Sequence, residues 1–461
     1  MSANGTLQAL PARHTREPAE PSWRSRVSAA IPRSSSGFLT AYLLLLMLIP
    51  SELVFAPLGG VGTPAEVIVL CILLWYCASW LLGRAGASTG GRPARVTMFI
   101  FVMSCLASFV AAMTRYISVT EVLSAGRGLI ELLSWSGLVI VVSQTVREYR
   151  YLDTLLRRAV VIGTIVAAIG VFEFYSGLNV TNYVHLPGLS VASTIGQVPT
   201  RDGFTRPSST AIQPIEFSVV MAMLLPFALH QALDPARTGW FRKWVPVVLI
   251  AVSIPMTVSR SGILALGIVL LILVPTWSGR QQLAFLVFGL LGIAAMRLLA
   301  HGLLSTITAF FGGMFGSSAG GSDLSVGTRT SGYAADWFYI VQRPFFGRGF
   351  ATFLPQLYRY DDNQFLTSLV ETGFVGLAAF CGIFLGGMQT AGSARRMTAE
   401  VQRRHLGQAM VASLAAAAVS SATFDSLSFP MFTGLLFFIL GAAGAYRTIM
   451  VAERDLEPHL I

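Results

Sequence analysis

The chain has 461 residues, of which 54% are hydrophobic and only 12% are charged. Soluble domains carry roughly 25% charged residues, so this composition excludes a soluble globular protein. Repeated apolar runs of about 20 residues indicate a polytopic α-helical membrane protein, and the mean hydropathy of +0.66 agrees with this. The formal net charge of +10 would suit a nucleic-acid partner, but its distribution along the chain gives a different explanation.

The chain begins with a polar tail, residues 1–37, which is rich in Arg, Pro and Ser and which we expect to be disordered in the cytoplasm. About twelve transmembrane helices follow. Nine lie within residues 38–300 and three within residues 363–447. Residues 301–362 form a long loop between the two groups, and residues 448–461 form a second cytoplasmic tail. The predicted spans are 38–57, 64–82, 96–113, 122–144, 156–176, 212–232, 244–258, 261–275, 282–300, 363–388, 406–423 and 428–447.

The basic residues are distributed unequally between the two sides of these spans. If the N-terminus is cytoplasmic, the cytoplasmic segments hold 22 of the 32 Lys and Arg residues, and the outer segments hold eight. Short cytoplasmic loops of membrane proteins carry such an excess. The pattern therefore predicts that both termini are cytoplasmic and that the loop 301–362 lies on the outer face. It also explains the net charge without a nucleic-acid partner.

The outer arginines are exceptions to this bias, and several of them could bind a ligand. Arg206 comes directly before the sixth predicted helix, and Glu216 lies near the start of that helix. A carboxylate at this depth is costly unless it is paired. The two residues could form an anion site in which Glu216 orients an arginine or acts as a base. A structural ion pair at the membrane surface is the alternative.

Arg260 lies at the tip of a short hairpin, in the sequence Ser259-Arg260-Ser261-Gly262. A guanidinium beside two hydroxyl groups at a helix N-terminus can bind phosphate, because the fork donates two hydrogen bonds and the free N–H groups of the helix add positive charge. The alternative is an arginine whose long side chain reaches the lipid headgroups.

The long loop contains Arg329, followed by apolar and aromatic residues whose spacing over 333–341 predicts a short amphipathic helix at the membrane interface. We expect Trp337 and Tyr339 at headgroup depth. Arg348 lies between Gly347 and Gly349, where the backbone could approach a ligand closely or could simply turn.

The sequence Asp361-Asp362-Asn363 opens the tenth predicted helix. An N-cap accounts for one of these side chains but not for two adjacent carboxylates beside arginines. Arginines at the headgroup plane suit a lipid-anchored diphosphate, and a neighbouring carboxylate could act as general base on a sugar hydroxyl. No Walker loop or histidine cluster is present, so we predict no cofactor and no metal ligand. The predicted catalytic residues are Asp362, Arg260 and Arg329, and the predicted substrate-binding residues are Arg206, Arg348, Glu216, Asn363 and Asp361.

Six segments between residues 200 and 390 carry a resemblance to a known family. They are Arg206-Pro207, Ser259–Gly262, Thr328-Arg329, Pro344–Phe353, Asp362–Leu366 and Glu371–Leu377. In these segments the sequence resembles the O-antigen ligase and polysaccharide polymerase superfamily. The resemblance implies a GT-C-like membrane glycosyltransferase bundle with a large extracytoplasmic loop containing short helices, in the bacterial cytoplasmic (inner) membrane. It also implies metal-independent transfer of a glycan from an undecaprenyl diphosphate-linked donor to a glycan or lipid-linked acceptor.

One position distinguishes members of this superfamily. Its ligases commonly have a histidine before the Asn of the tenth-helix segment, and this chain has Asp362 there, which favours a polymerase. A transporter or flippase for an anionic lipid or solute would also fit twelve spans with both termini inside, but it should carry more charged residues at the membrane midplane. An auxiliary scaffold is a third interpretation.

Overall fold

The computed structural model describes residues 35–57, 62–82, 91–191, 200–201, 204–299, 336–359 and 362–456. Several predictions fall outside the described residues. They are nearly all of the tail 1–37, the greater part of the loop 301–362 with Arg329 and Asp361, and the last residues of the second tail.

Among the described residues, twelve α-helices have 14 residues or more, and each overlaps one predicted span. Seven of them, α2 to α6, α10 and α12, are long and apolar enough to cross a membrane. The prediction of a polytopic helical membrane protein is therefore confirmed, while the count of twelve crossings stays a prediction. The helices are α1 (Ser35–Leu48), α2 (Pro64–Leu81), α3 (Arg92–Met113), α4 (Val119–Thr145), α5 (Tyr149–Ser176), α6 (Pro214–Ala232), α7 (Trp240–Met256), α8 (Arg260–Leu273), α9 (Gly279–Leu299), α10 (Gln364–Arg395), α11 (Val401–Ser420) and α12 (Pro430–Leu456).

The ends of two helices differ from the predicted spans. Helix α1 ends at Leu48 instead of residue 57 because Pro50 follows, and a proline disfavours the helical conformation of the residue before it. The chain beyond it forms a short strand, β1 (Leu53–Val54), which pairs antiparallel with β2 (Ser190–Val191). Helix α12 continues to Leu456, about two turns beyond its predicted end.

A second pair of strands leads the chain towards Arg206. Strand β3 (Thr200–Arg201) pairs antiparallel with β4 (Phe204–Thr205), with Thr200 opposite Thr205. The connection between α5 and α6 therefore ends in a tight hairpin directly before the predicted anion site.

Helix α6 lies at the centre of the bundle, where α5, α7, α8, α11 and α12 pack around it. All its residues except Ile215 are buried, which is the burial expected of a helix that is apolar on every side. The start of α6 defines what we call the outer end of the bundle, the end predicted to face away from the cytoplasm. The sites of interest lie at this end.

Helix α10 packs against α3, α11 and α12 and is interrupted at Gly373, whose φ of 67° and ψ of −168° are not helical. The segment 344–349 replaces the hydrogen bonds lost at this break. The Phe374 amide donates to the Pro344 carbonyl (2.8 Å) and the Val375 amide to the Phe345 carbonyl (3.2 Å). On the other side, the Arg348 and Gly349 amides donate to the carbonyls of Val370 (2.9 Å) and Glu371 (2.8 Å).

Replacement of Gly373 by alanine tests the hydrogen-bonded contact between residues 344–349 and the break in α10. A Cβ atom there would lie 2.4 Å from the Phe345 carbonyl, and only glycine adopts this conformation readily. We expect Gly373→Ala to lower the free energy of unfolding by about 1–3 kcal/mol, measured by thermal unfolding in detergent. The control is Gly382→Ala in the same helix, where the new Cβ atom has no neighbour within 4 Å. Equal melting temperatures of the two variants would contradict the role given to Gly373.

Candidate functional site

The segments that carry Arg206 and Arg260 are bonded to each other. Arg206 is half-buried, and its Nε donates to the Thr257 carbonyl over 2.9 Å. Thr257 begins the turn that leads into α8, and Arg260 is the first residue of that helix. Ser259 caps the helix by accepting from the Gly262 amide (3.5 Å). The predicted helix N-terminus at Arg260 is therefore present in the structure.

Close packing between two helices explains why the hairpin motif ends in a glycine, Gly262. A Cβ atom at this residue would lie 2.4 Å from the Cβ atom of Ser218 in α6. The absence of a side chain lets the first turn of α8 lie directly against the central helix. Close helix approach through small residues is typical of membrane bundles. The motif thus fixes the position of the Arg260 backbone relative to α6.

The turn between α11 and α12, residues 421–429, joins this hairpin to the start of α10. Thr423 Oγ1 donates to Ser261 Oγ over 2.7 Å. The Gln364 amide donates to the carbonyls of Ser421 (2.9 Å) and Phe424 (3.2 Å). The Gln364 side chain also accepts from the Leu427 amide (2.7 Å). Ser261 and Gln364, which follow Arg260 and Asn363, are thus both hydrogen-bonded to the turn 421–429. The structure therefore brings the predicted Arg260 and Asn363 segments together.

Glu216 is fully buried and serves as an anchor for two helices. Its Oε2 accepts from the Ile212 amide (2.9 Å), in the segment after Arg206. Its Oε1 accepts from the Met431 (2.8 Å) and Phe432 (3.2 Å) amides at the start of α12. A carboxylate is favourable there because free amides and the helix dipole meet it. The structure gives Glu216 a positioning role; direct contact with a substrate stays a prediction.

Asn363 and Asp362 differ in their surroundings. The Asn363 Oδ1 accepts from the Phe365 (3.0 Å) and Leu366 (3.4 Å) amides, which makes it the N-cap of α10. Asp362 is exposed directly before this cap. Asn363 thus caps α10, and the Asp362 side chain is exposed at the N-terminus of the same helix.

Arg348 belongs to a separate polar network beside α3 and α4. Its guanidinium lies between the rings of Tyr339 (4.6 Å to the centroid) and Tyr358 (4.7 Å), and its Nη2 donates to the Tyr358 hydroxyl (2.6 Å). That hydroxyl donates to Glu121 Oε1 (2.9 Å), which also pairs with Arg115 Nη2 (2.9 Å). Burial and the hydrogen bond to Glu121 raise the pKa of Tyr358, so its hydroxyl stays a donor. Contact of Arg348 with a substrate stays a prediction.

Two of these partners were missed in the sequence. Glu121 and Ser118 form a capping box at the start of α4, a spacing that can be recognised in a sequence. Arg115 was counted only as an outer arginine, although its Nε donates to the Arg348 carbonyl (3.1 Å). The partners of these two residues within 348–358 lie more than 200 positions away along the chain, and no local pattern indicates them.

Two further outer arginines, Arg343 and Arg359, have partners that help to hold residues 336–359 in place. Arg359 forms an ion pair with the buried Asp336. Arg343 donates from Nη1 to the Ala111 carbonyl (3.2 Å) at the end of α3. This part of the predicted loop is therefore fastened to the bundle through its basic residues.

Backbone strain marks the same segments. Within the described ranges, three residues other than glycine have a positive φ, which is uncommon and costs of order 1–3 kcal/mol each. Such strain clusters at functional sites. The residues are Ser209 (52°), Val258 (49°) and Ala351 (57°), each within three positions of Arg206, Arg260 or Arg348.

No group of three or more His, Cys, Asp or Glu residues in the described part of the chain is arranged to hold a metal ion. Metal independence itself stays a prediction.

The anchoring role of Glu216 can be tested by replacement with glutamine. An amide has one acceptor oxygen, so Glu216→Gln cannot accept from both Ile212 and the start of α12. We expect a loss of about 1–3 kcal/mol in the free energy of unfolding, measured by thermal unfolding. The control is Glu148→Gln, because Glu148 is exposed and its side chain caps no helix. Unchanged stability of Glu216→Gln would contradict the anchoring role.

The chain was compared with known proteins. No curated protein matches it. Residues 245–381 match the family model described as O-antigen ligase. The match covers less than a third of the chain, and it includes Arg260, Arg348 and Asp362 but not Arg206 or Glu216. With the apolar helices, it identifies an integral membrane protein whose residues 245–381 form an O-antigen ligase-like region, which confirms the resemblance to that superfamily.

Proposed function

We propose that the protein transfers a glycan from an undecaprenyl diphosphate-linked donor to a glycan or lipid-linked acceptor at the outer face of the bacterial inner membrane. One observation carries the proposal. The segments that carry Arg206 and Arg260 are hydrogen-bonded to each other. The Arg260 segment is also connected to the start of α10 by hydrogen bonds through the turn 421–429. Two guanidinium-bearing segments and an exposed carboxylate, Asp362, are thereby fixed at one end of the bundle. The family match over residues 245–381 supports the same chemistry.

The proposed reaction assigns a role to each group. Arg206 and Arg260 bind the diphosphate of the donor, whose lipid tail stays in the bilayer. The oxygen of the acceptor hydroxyl attacks the anomeric carbon of the donor, and Asp362 accepts the proton of that hydroxyl. The bond from that carbon to the diphosphate oxygen breaks, and the arginines stabilise the negative charge on the departing lipid diphosphate. Arg329 and Asp361, which lie outside the described residues, are proposed to assist in catalysis and substrate binding respectively.

A polymerase is favoured over a ligase because Asp362 occupies the position where ligases of the superfamily commonly have histidine. The acceptor would then be a second lipid-linked glycan of the same kind as the donor. The N-cap role of Asn363 holds in either case, since it depends only on the start of α10.

Single alanine variants of Arg206 and Arg260 test the diphosphate site. We expect each to reduce product formation by roughly 10²-fold or more, as observed when one donor to a developing negative charge is removed. The measurement is surface glycan on a gel, normalised to the amount of membrane-inserted protein. The control is Arg157→Ala, because Arg157 lies on α5 at the opposite end with a side chain 52% exposed. Normal polymer from both site variants would contradict the proposal.

A reaction in detergent separates transfer from transport. Purified protein should convert lipid-linked donor into a longer glycan without a sealed membrane, because transfer needs no second compartment. A transporter or flippase would show no product in detergent but would move labelled lipid across proteoliposomes. Product chain length on a gel is the measurement, and Arg260→Ala protein in the same detergent is the control.

A further inference from the structure

Residues 336–346 carry an apolar face that no part of the described protein covers. Residues 336–342 are helical. One side of this helix is buried, with Asp336 at 0% and Ile340 at 4% exposure. The opposite side and the turn after it are exposed. The exposed side chains are Trp337 (62%), Phe338 (63%), Val341 (59%), Phe345 (66%) and Phe346 (45%), which we call the aromatic face.

Hydrogen bonds fix the level of the aromatic face along the bundle. Arg343 donates to the carbonyl of Ala111, two residues before the end of α3. Helix α10 has 32 residues, whereas about 20 cross the hydrocarbon. The segment 344–349 bonds to α10 around its break at Gly373, nine residues after the helix begins. Both helices therefore place the aromatic face level with the outer end of α3 and with the part of α10 near Gly373.

The aromatic face is also continuous with the outer surface of the membrane helices. Phe374 (50%) and Val375 (42%) of α10 are exposed, and their amides bond to the backbone of Pro344 and Phe345. The end of α3, which receives Arg343, exposes Val110 (63%). Arg343 instead bonds to α3, and Arg348 lies beside Glu121 of α4. Exposed apolar side chains of α3 and α10 thus lie next to residues 337–346, among which Gln342 is also exposed.

We propose that the aromatic face is inserted into the bilayer interface at the outer end, with a lipid surface as its partner. Trp and other aromatic rings favour this depth, and an amphipathic helix buries its apolar side at the boundary between headgroups and acyl chains. Insertion holds the Arg348 network and the break in α10 at the level of lipid phosphates. This inference does not depend on glycan transfer, and it holds equally if the protein is a transporter.

Depth-dependent quenching of tryptophan fluorescence tests the insertion. The protein is placed in phosphatidylcholine vesicles brominated either near the headgroup or near the chain end. The contribution of Trp337 is the difference between the wild type and Trp337→Phe. We expect lipid brominated near the headgroup to remove most of this difference signal, chain-end bromine to remove less, and aqueous iodide to leave most of it. A second probe, Phe338→Trp in the Trp337→Phe background, should respond in the same way.

The control is Gln356→Trp in the Trp337→Phe background, a polar exposed position of the same segment outside the aromatic face. We expect iodide to quench it strongly and brominated lipid to quench it weakly. Quenching of the Trp337 signal by iodide but not by brominated lipid would overturn the proposal. Quenching by neither would do the same, because it would mean that a second copy or another protein covers the face. Equal lipid quenching at residues 337 and 356 would also overturn it.

Discussion

The exchange of backbone hydrogen bonds around Gly373 is the constraint on which the outer end of the bundle depends. Inside a membrane protein, an unsatisfied backbone group costs several kcal/mol, so a broken helix persists only where other groups replace its bonds. Residues 344–349 make that replacement with four hydrogen bonds. The loop and the helix therefore fold as one unit. Two of the segments that carry the family resemblance, Pro344–Phe353 and Glu371–Leu377, form the two sides of this hydrogen-bond exchange.

Buried carboxylates act as positioning groups throughout this end. Glu173, Glu216 and Glu371 each accept hydrogen bonds from backbone amides of a loop or a helix start. In each case a buried carboxyl group meets more than one backbone donor, which is the condition under which burial of a polar group is tolerated. Their oxygens thus hold loops and helix starts in position. The exposed Asp362 is the carboxylate of the predicted catalytic set, and its role as general base stays a prediction.

The sequence predicted the positions of the helices well, because membrane spans depend on apolar length alone. It also placed the helix starts at Arg260 and Asn363 correctly, since both rest on local capping. It could not predict the break at Gly373 or the partners of Arg348. Those features depend on contacts between distant segments, such as Tyr358 with Glu121. The partners of Glu216 on α12 could not be predicted either, because they lie more than 200 residues away.

The strained turns and the buried carboxylates explain each other. A residue other than glycine at positive φ costs of order 1–3 kcal/mol, whereas one neutral hydrogen bond contributes only about 0.5–1.5 kcal/mol net. More than one hydrogen bond is therefore needed to offset the strain. The Ser209 amide donates to Glu173 (2.7 Å), and the Ala351 and Phe353 amides donate to Glu371. A carboxylate thus holds each of these turns in a conformation it would otherwise leave, and each turn lies three residues after an arginine. The backbones that follow Arg206 and Arg348 are therefore positioned by carboxyl groups that are more deeply buried than the arginines themselves.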